Sequence, residues 1–461
     1  MLAFMNDTNS LQTFPGQDAT TVLVAGAGIS GLSSAWHLAQ EGVAVRVYEA
    51  ASRVGGKIMS LEAGGASYEG GPNTLLADGA QLEWLASLGL SVEYPSKLSK
   101  KRYVLQQGRY RPLPAGPVSF LFGDFFSWRA KAKILSEPWR RNAPASDAET
   151  VADFIRRRLG GEVLDKAVNP FVGGVFAGDP EKLLVGETLG LLARAEREAG
   201  SITGGMWRRA RAGALRRRDT YSLKGGLEAL PRALARGLDV RLGCPVMALE
   251  RDADGSWWVE TGNARVHAEK VVLALPAFAA ARLLENVDAA AAEALAAVRY
   301  APMTVVVSRI ARADLTRPLE GFGGLNPACE GAFAAGHLMT GALYPGRCAE
   351  DEVLVTSFVG GEQYAANATL ADDALLAALN AELGSLLGLT GTPRAQHVVR
   401  WPAAIAQGSS EVLAVREASA RLAAQGVYLC ASYLDGVSVP DCIGKGRRLA
   451  GTIADELVVM P

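Results

Sequence analysis

Gly26-x-Gly28-x-x-Gly31 and Glu49 have the residue types and spacing that hold a dinucleotide. Gly26 permits a tight strand-to-helix turn, Gly28 lets backbone approach a pyrophosphate, and Gly31 allows close packing of helix on strand. The helix that follows this turn, which includes Ile29 and Ser30, offers unpaired N–H groups and a positive dipole end to phosphate oxygens. Glu49 follows Gly31 by 18 residues, where a carboxylate can accept hydrogen bonds from ribose hydroxyls. No second chemistry competes with this one. The four histidines (His37, His267, His337, His397) share no ligand spacing, so each reads as structural and no metal site is expected.

The elements that must position these groups are legible around them. Residues 21–25 (TVLVA) form a short apolar run suited to a buried parallel strand. Residues 32–41 have helical periodicity, and residues 43–48 (VAVRVY) form a second strand. Further parallel strands are expected at 271–275 and 427–431, so the domain is assembled from distant segments. Helices are expected at 79–93, 287–299, 370–388 and 441–457, and a hairpin at 98–113. Residues 117–215 read as mostly helical. Antiparallel strands are expected at 303–310, 332–344 and 353–360.

After Glu49, the run Arg53-x-Gly55-Gly56-Lys57 resembles the second glycine motif of amine-oxidase-like flavoproteins. That resemblance implies FAD, with Arg53 near the phosphates. Later segments resemble oxygen-dependent protoporphyrinogen or coproporphyrinogen oxidases of the FAD type, in order over nearly the whole chain. They are Gly71-Pro72-Asn73-Thr74, Gly174-Val175-Phe176-Ala177-Gly178-Asp179, Ser222-Leu223-Lys224-Gly225-Gly226-Leu227, Gly321-Phe322-Gly323-Gly324-Leu325, and the turn Val437-Ser438-Val439. One segment departs. Where the family often carries C-I-P-Q-Y, this chain has Ala404-Ile405-Ala406-Gln407-Gly408.

The resemblance implies an α/β fold: a Rossmann-like FAD-binding domain from discontinuous segments, an α+β substrate-binding domain and a mostly helical insertion. The expected boundaries are 21–95, 220–290 and 425–461 for FAD, 96–219 for the helical part and 291–424 for substrate, with 1–20 a disordered lead-in. It implies oxidation of protoporphyrinogen IX to protoporphyrin IX by molecular oxygen, with flavin N5 as hydride acceptor. Coproporphyrinogen III, another amine-oxidase-like reaction (an amine oxidase or carotenoid desaturase) and a non-catalytic flavin scaffold stand as alternatives. For substrate, it implies Arg102 on a propionate, Asn73 beside the ring, the Gly174 carbonyl toward the ring nitrogens, and Phe322, Leu325 and Phe358 around the macrocycle. The plainer readings are a solvated arginine, a turn-forming asparagine, a turn glycine and ordinary core. For the cofactor, it adds Gly71, Pro72, Thr74, Val246, Val437, Ser438 and Val439 to the glycine turns.

Composition sets the outer bounds. The 461 residues are 49% hydrophobic and 21% charged with a net charge of −1, which speaks against bulk electrostatic binding of nucleic acid. Five scattered cysteines without a CxxC pair suit a reducing cytoplasmic compartment. Residues 1–20 lack the pattern of a signal peptide. The aromatic stretch 117–128, followed by Arg129, Lys131 and Lys133, suits a membrane interface. Peripheral attachment to the cytoplasmic membrane is expected there, against a buried helix as the plainer reading. A homodimer is compatible with the sequence.

Overall fold

Residues 22–25 are buried on both sides of a sheet, which explains why their apolar run does not alternate. Val22 and Val24 pack with Leu32, Ala35 and Leu38 of the helix Ile29–Gln40. Leu23 and Ala25 face the other way, onto the helices Ala277–Leu284, Ala289–Ala296 and Glu411–Ala423. The computed structural model describes residues 19–140, 146–214 and 218–459. Most of the lead-in expected at 1–20 lies outside the described residues. Ala19 and Thr20 are part of the first strand, Ala19–Ala25.

In this first sheet Ala19–Ala25 is flanked in parallel by Val45–Tyr48 and by Arg265–Leu273. Asp239–Arg241 adds to the outside of Val45–Tyr48. The far side of Arg265–Leu273 is shared. Residues 265–268 pair antiparallel with Trp257–Thr261, and residues 271–273 pair in parallel with Val427–Leu429. The C-terminal helix Val439–Val459 lies along Ile29–Gln40. A Cβ at Gly446 would come within 2.7 Å of the Ser34 nitrogen, and Ser33 Oγ donates to the Ile443 carbonyl at 3.0 Å. Small residues on both helices thus bring their N-termini to one end of the sheet.

A second sheet runs in the order Ala395–Ala406, Tyr300–Ala311, Glu352–Gly360, Gly336–Leu338, Gly323–Leu325, Arg102–Gln106, Arg109–Pro112. Its strands pair antiparallel except Gly323–Leu325 with Arg102–Gln106, which run parallel, and its central strands are buried on both faces, so successive side chains enter two different cores. Val306, Ile310, Val353 and Val355 pack under the helix Asp372–Leu387, while Val305, Val307 and Leu354 pack with Ala66 and Tyr68 of the strand Ala66–Glu69. The helical insertion has its own core around Phe125, Phe126, Phe154, Ile155 and Val172. These layers match the mixed α/β architecture expected from the sequence.

Three expectations need correction. Helix does not fill 79–93: it ends at Ser87, and Val92–Glu93 is a strand on Asp219–Leu223. Strand does not fill 332–344. Only Gly336–Leu338 pairs, and Thr340–Leu343 coils over the neighbouring strand, where a Cβ at Gly341 would lie 2.8 Å from the Leu354 nitrogen. Segment 117–133 is not uniformly interfacial. Phe125, Phe126 and Lys131 are buried, and Lys131 Nζ donates to the Leu121 and Gly123 carbonyls.

Candidate active site

The glycine turn at the carboxyl end of Ala19–Ala25 is built from local backbone demands. Gly26 has φ +103, and a Cβ there would come within 2.7 Å of the Ala274 carbonyl oxygen. A Cβ at Gly31 would overlap the Gly26 carbonyl oxygen, while Gly28 has nothing within 4 Å. Of these three glycines, Gly28 alone has open space where a side chain would stand. Ile29 and Ser30 begin the helix beside it.

Glu49 organises this turn. One carboxylate oxygen accepts from Ala27 N–H at 2.7 Å, the other from Ala51 N–H at 2.8 Å. The second glycine motif folds against the first: Gly55 N–H donates to the Ala27 carbonyl at 2.8 Å, and a Cβ at Gly56 would lie 3.3 Å from Gly28 Cα. Arg53, expected to lie near phosphates, donates to the carbonyls of Val54, Ile58 and Gly56. Beyond Glu49, Cys244 N–H donates to the Glu49 carbonyl at 2.8 Å, two residues before Val246 opens the strand Val246–Arg251.

Lys57 crosses toward the second sheet. Its Nζ donates to the Ala404 carbonyl at 2.6 Å and lies 5.1 Å from the Tyr300 ring centroid. Burial pulls its pKa down to about 8, with Cys442 acting weakly the other way. Gly71 packs so tightly on the Lys57 carbonyl that a Cβ would overlap it. Next along the Gly71–Thr74 segment (Pro72 between), Asn73 donates to the Gly71 carbonyl at 3.0 Å. Its Oδ1 is buried without a partner among the described residues. Trp401 Nε1 donates to the Gly70 carbonyl at 2.7 Å, so strand Ala395–Ala406 closes this side.

The second wall is the turn into the C-terminal helix. Val437 precedes Ser438, whose hydroxyl and N–H engage the Asp441 carboxylate, and Val439 opens the helix. An open glycine cradle, two helix N-termini and a buried, unpaired amide oxygen fit a flavin dinucleotide.

The substrate-side residues fall into two groups. Gly174 is not in a turn but within the helix Asn169–Phe176. A Cβ there would overlap Leu325 Cδ2. A Cβ at Gly336, which pairs with Phe358, would lie 3.5 Å from the same Leu325 atom. Gly174, Leu325 and Phe358 thus converge through missing side chains. Arg102 and Phe322 form the other group: the guanidinium sits 4.6 Å from the Phe322 ring centroid, and Arg102 pairs with Gly323.

Sequence reasoning missed Trp401, Tyr300 and the Lys57–Ala404 bridge, all brought in by strands of the second sheet. One carboxylate–imidazole group does exist among the described residues: Asp252, Asp254 and His267 offer ligand atoms within 4.8 Å of one another. Ser256 and Trp258 already hydrogen-bond to them. His267 pairs with Ala19, at the opposite end of the sheet from the glycine turn.

The sequence profile described as "Flavin containing amine oxidoreductase" matches residues 29–454. The chain is 31% identical to human protoporphyrinogen oxidase over 477 residues, covering 94% of this chain and 98% of that protein. It is 29% identical to protoporphyrinogen oxidase 2, chloroplastic/mitochondrial, of Arabidopsis thaliana, covering 95% and 94%. A crystal structure from Exiguobacterium sp. 255-15, provisionally assigned as a protoporphyrinogen oxidase, superposes with TM-score 0.79 at 21% identity, covering 95% of this chain and 99% of that one. A putrescine oxidase bound to putrescine superposes with TM-score 0.67 at 18% identity. At such identities the structures show the shared fold.

Proposed function

The chain belongs to the flavin-containing amine oxidoreductases, within the protoporphyrinogen oxidase family, and from that premise we propose that it oxidises protoporphyrinogen IX to protoporphyrin IX with FAD as cofactor and molecular oxygen as acceptor. The observation that carries the reading is the buried, unpaired Oδ1 of Asn73 between the glycine cradle and the second sheet. FAD, when bound, supplies hydride acceptance at N5. The chain's own residues bind and orient.

Gly26, Gly28, Gly31, Gly55 and Gly56 admit the pyrophosphate, Glu49 takes the ribose, and Val246 borders the adenine. Lys57 lies within reach of the phosphate–ribityl stretch. Gly71, Pro72, Asn73 and Thr74 face the flavin ring from one side, Val437, Ser438 and Val439 from the other. Leu325, whose side chain fills the space Gly174 leaves, and Phe358 flank the macrocycle, and the Gly174 carbonyl accepts from pyrrole N–H groups. Ala177, with φ +50, ends that helix, and Gly178 N–H turns back to the Val172 carbonyl. The Gly178 N–H is therefore withdrawn from Gly174, to whose carbonyl it would donate in a continuing helix. Arg102 at the rim pairs with a propionate, a task for a planar bidentate donor.

The protein docks peripherally on a membrane through the helical insertion. No helix among the described residues is long and apolar enough to cross a membrane. Val118, Phe122, Trp128 and Trp139 are nonetheless strongly exposed, Phe122 at 80% and Trp139 at 81%, beside Arg129. Such aromatics suit an interface. The function is tested by giving FAD-loaded protein protoporphyrinogen IX, and separately coproporphyrinogen III, in air. Porphyrin fluorescence rising well above autoxidation with the first supports the reading. A rise with coproporphyrinogen alone reassigns the substrate, and none with either overturns the oxidase.

A further inference from the structure

Behind the turn that leads into the C-terminal helix lies a cavity with about 20 Å³ of room for the centres of water-sized molecules. Roughly 10–15 Å³ on that measure holds one water. Its walls come from three distant segments: Phe176, Leu183 and Thr188 of the helical insertion, Ala406 of the second sheet, and Tyr433 with Val437 of the turn. Tyr433 is only 4% exposed, and its hydroxyl has no hydrogen-bond partner among the described residues. A buried hydroxyl lacking a partner is costly, and such groups are usually met by an ordered water. Thr188 and Glu187, both half-buried, line the same cavity as Tyr433, so its wall includes residues that reach solvent.

We infer that this cavity binds one water, and that Tyr433 and this water relay protons between the flavin turn and solvent. The inference rests on the flavin placement proposed above. Reoxidation of a bound, N5-protonated reduced flavin anion by dioxygen to hydrogen peroxide would draw two electrons and one proton from the cofactor and one proton more from elsewhere; Tyr433 and the water would supply that second proton. Tyr433 suits the relay because burial, followed by its neighbours Tyr300 and Cys430, pushes its pKa well above the ordinary range. It therefore remains a neutral group that can accept one proton while donating another.

Two measurements on the FAD-loaded protein test this. A high-resolution crystal structure should show one water within hydrogen-bond distance of Tyr433 Oη in wild type and none there in Tyr433→Phe. Reoxidation of chemically reduced enzyme by oxygen should slow about tenfold in Tyr433→Phe and lose its solvent deuterium isotope effect. Ala406→Val, which narrows the cavity and keeps the hydroxyl, should do the same. An empty cavity in wild type, or rates and isotope effects unchanged in both variants, overturns the inference. Dithionite reduces the flavin without substrate, so failure to oxidise a porphyrinogen would sink the proposed function and leave this test standing.

Discussion

The Arg102 guanidinium lies 4.6 Å from the centre of the Phe322 ring, on a residue whose strand neighbour is Gly323. An arginine stacked on an aromatic face is held in orientation while its donors remain free. Arg102→Ala should raise KM for protoporphyrinogen roughly 10- to 100-fold, the scale of a charge-assisted hydrogen bond of about 1.5–3 kcal/mol. Flavin content should not change. Equal losses of flavin and substrate binding would remove Arg102 from the substrate site.

Gly174→Ala separates packing from catalysis. The new methyl would overlap the end of the Leu325 side chain, which can move, and nearby Phe358 and Gly336 leave it the proposed substrate space as its direction of retreat. In a helix, alanine itself is favoured over glycine by about 1 kcal/mol. The expected outcome is an unchanged or higher melting temperature with kcat/KM at least tenfold lower. A stable variant with full kcat/KM would show that Leu325 does not border the substrate.

What the sequence could reveal follows from where each constraint acts. The turn at Gly26–Gly31 is a local backbone problem, so residue type and spacing expose it. The strand Ala395–Ala406 is hidden by Pro402, which argues against a strand until the sheet order shows it to be outermost, where a missing N–H is tolerated. Its register against Tyr300–Ala311 also shifts around Pro302. The closeness of Lys57 to Ala404 and of Tyr433 to Thr188 joins segments hundreds of residues apart, and no local pattern carries either.

Lys57 predicts a pH dependence of the flavin-free protein. Burial lowers its pKa from 10.5 to about 8. Below pH 8 the ammonium is charged in both folded and unfolded chains, and the folded chain bears the full cost of burying it. Between 8 and 10.5 the unfolded chain binds more protons, so stability from this group rises with pH. Lys57→Met should therefore melt higher than wild type near pH 7, with the gap closing toward pH 10. A gap independent of pH would show that the amine is not desolvated. With FAD bound the order should reverse, because the variant lacks a cation near the phosphates.

Arg158 tests whether the helical insertion is a separate cooperative unit. Its side chain is fully buried, with Nε 2.6 Å from Glu196 Oε1 and 3.4 Å from Glu137 Oε1, and its guanidinium donates to the carbonyls of Arg140 and Gly200. Burial raises the Glu137 pKa, but the N–H groups of Thr203 and Ile202 and the Ser201 hydroxyl outweigh it and hold the carboxyl below the ordinary range. Arg158→Met would leave two buried carboxylates facing each other, with Arg157 the remaining cation on Glu196. Breaking a buried ion pair from one side costs about 3–5 kcal/mol. That loss falls on the core of Phe154 and Ile155, which is distinct from the two cores around the first sheet. Limited proteolysis should then cut first within residues 113–214 while the flavin spectrum stays native. Simultaneous loss of flavin and insertion in one transition would show that the two regions fold as one.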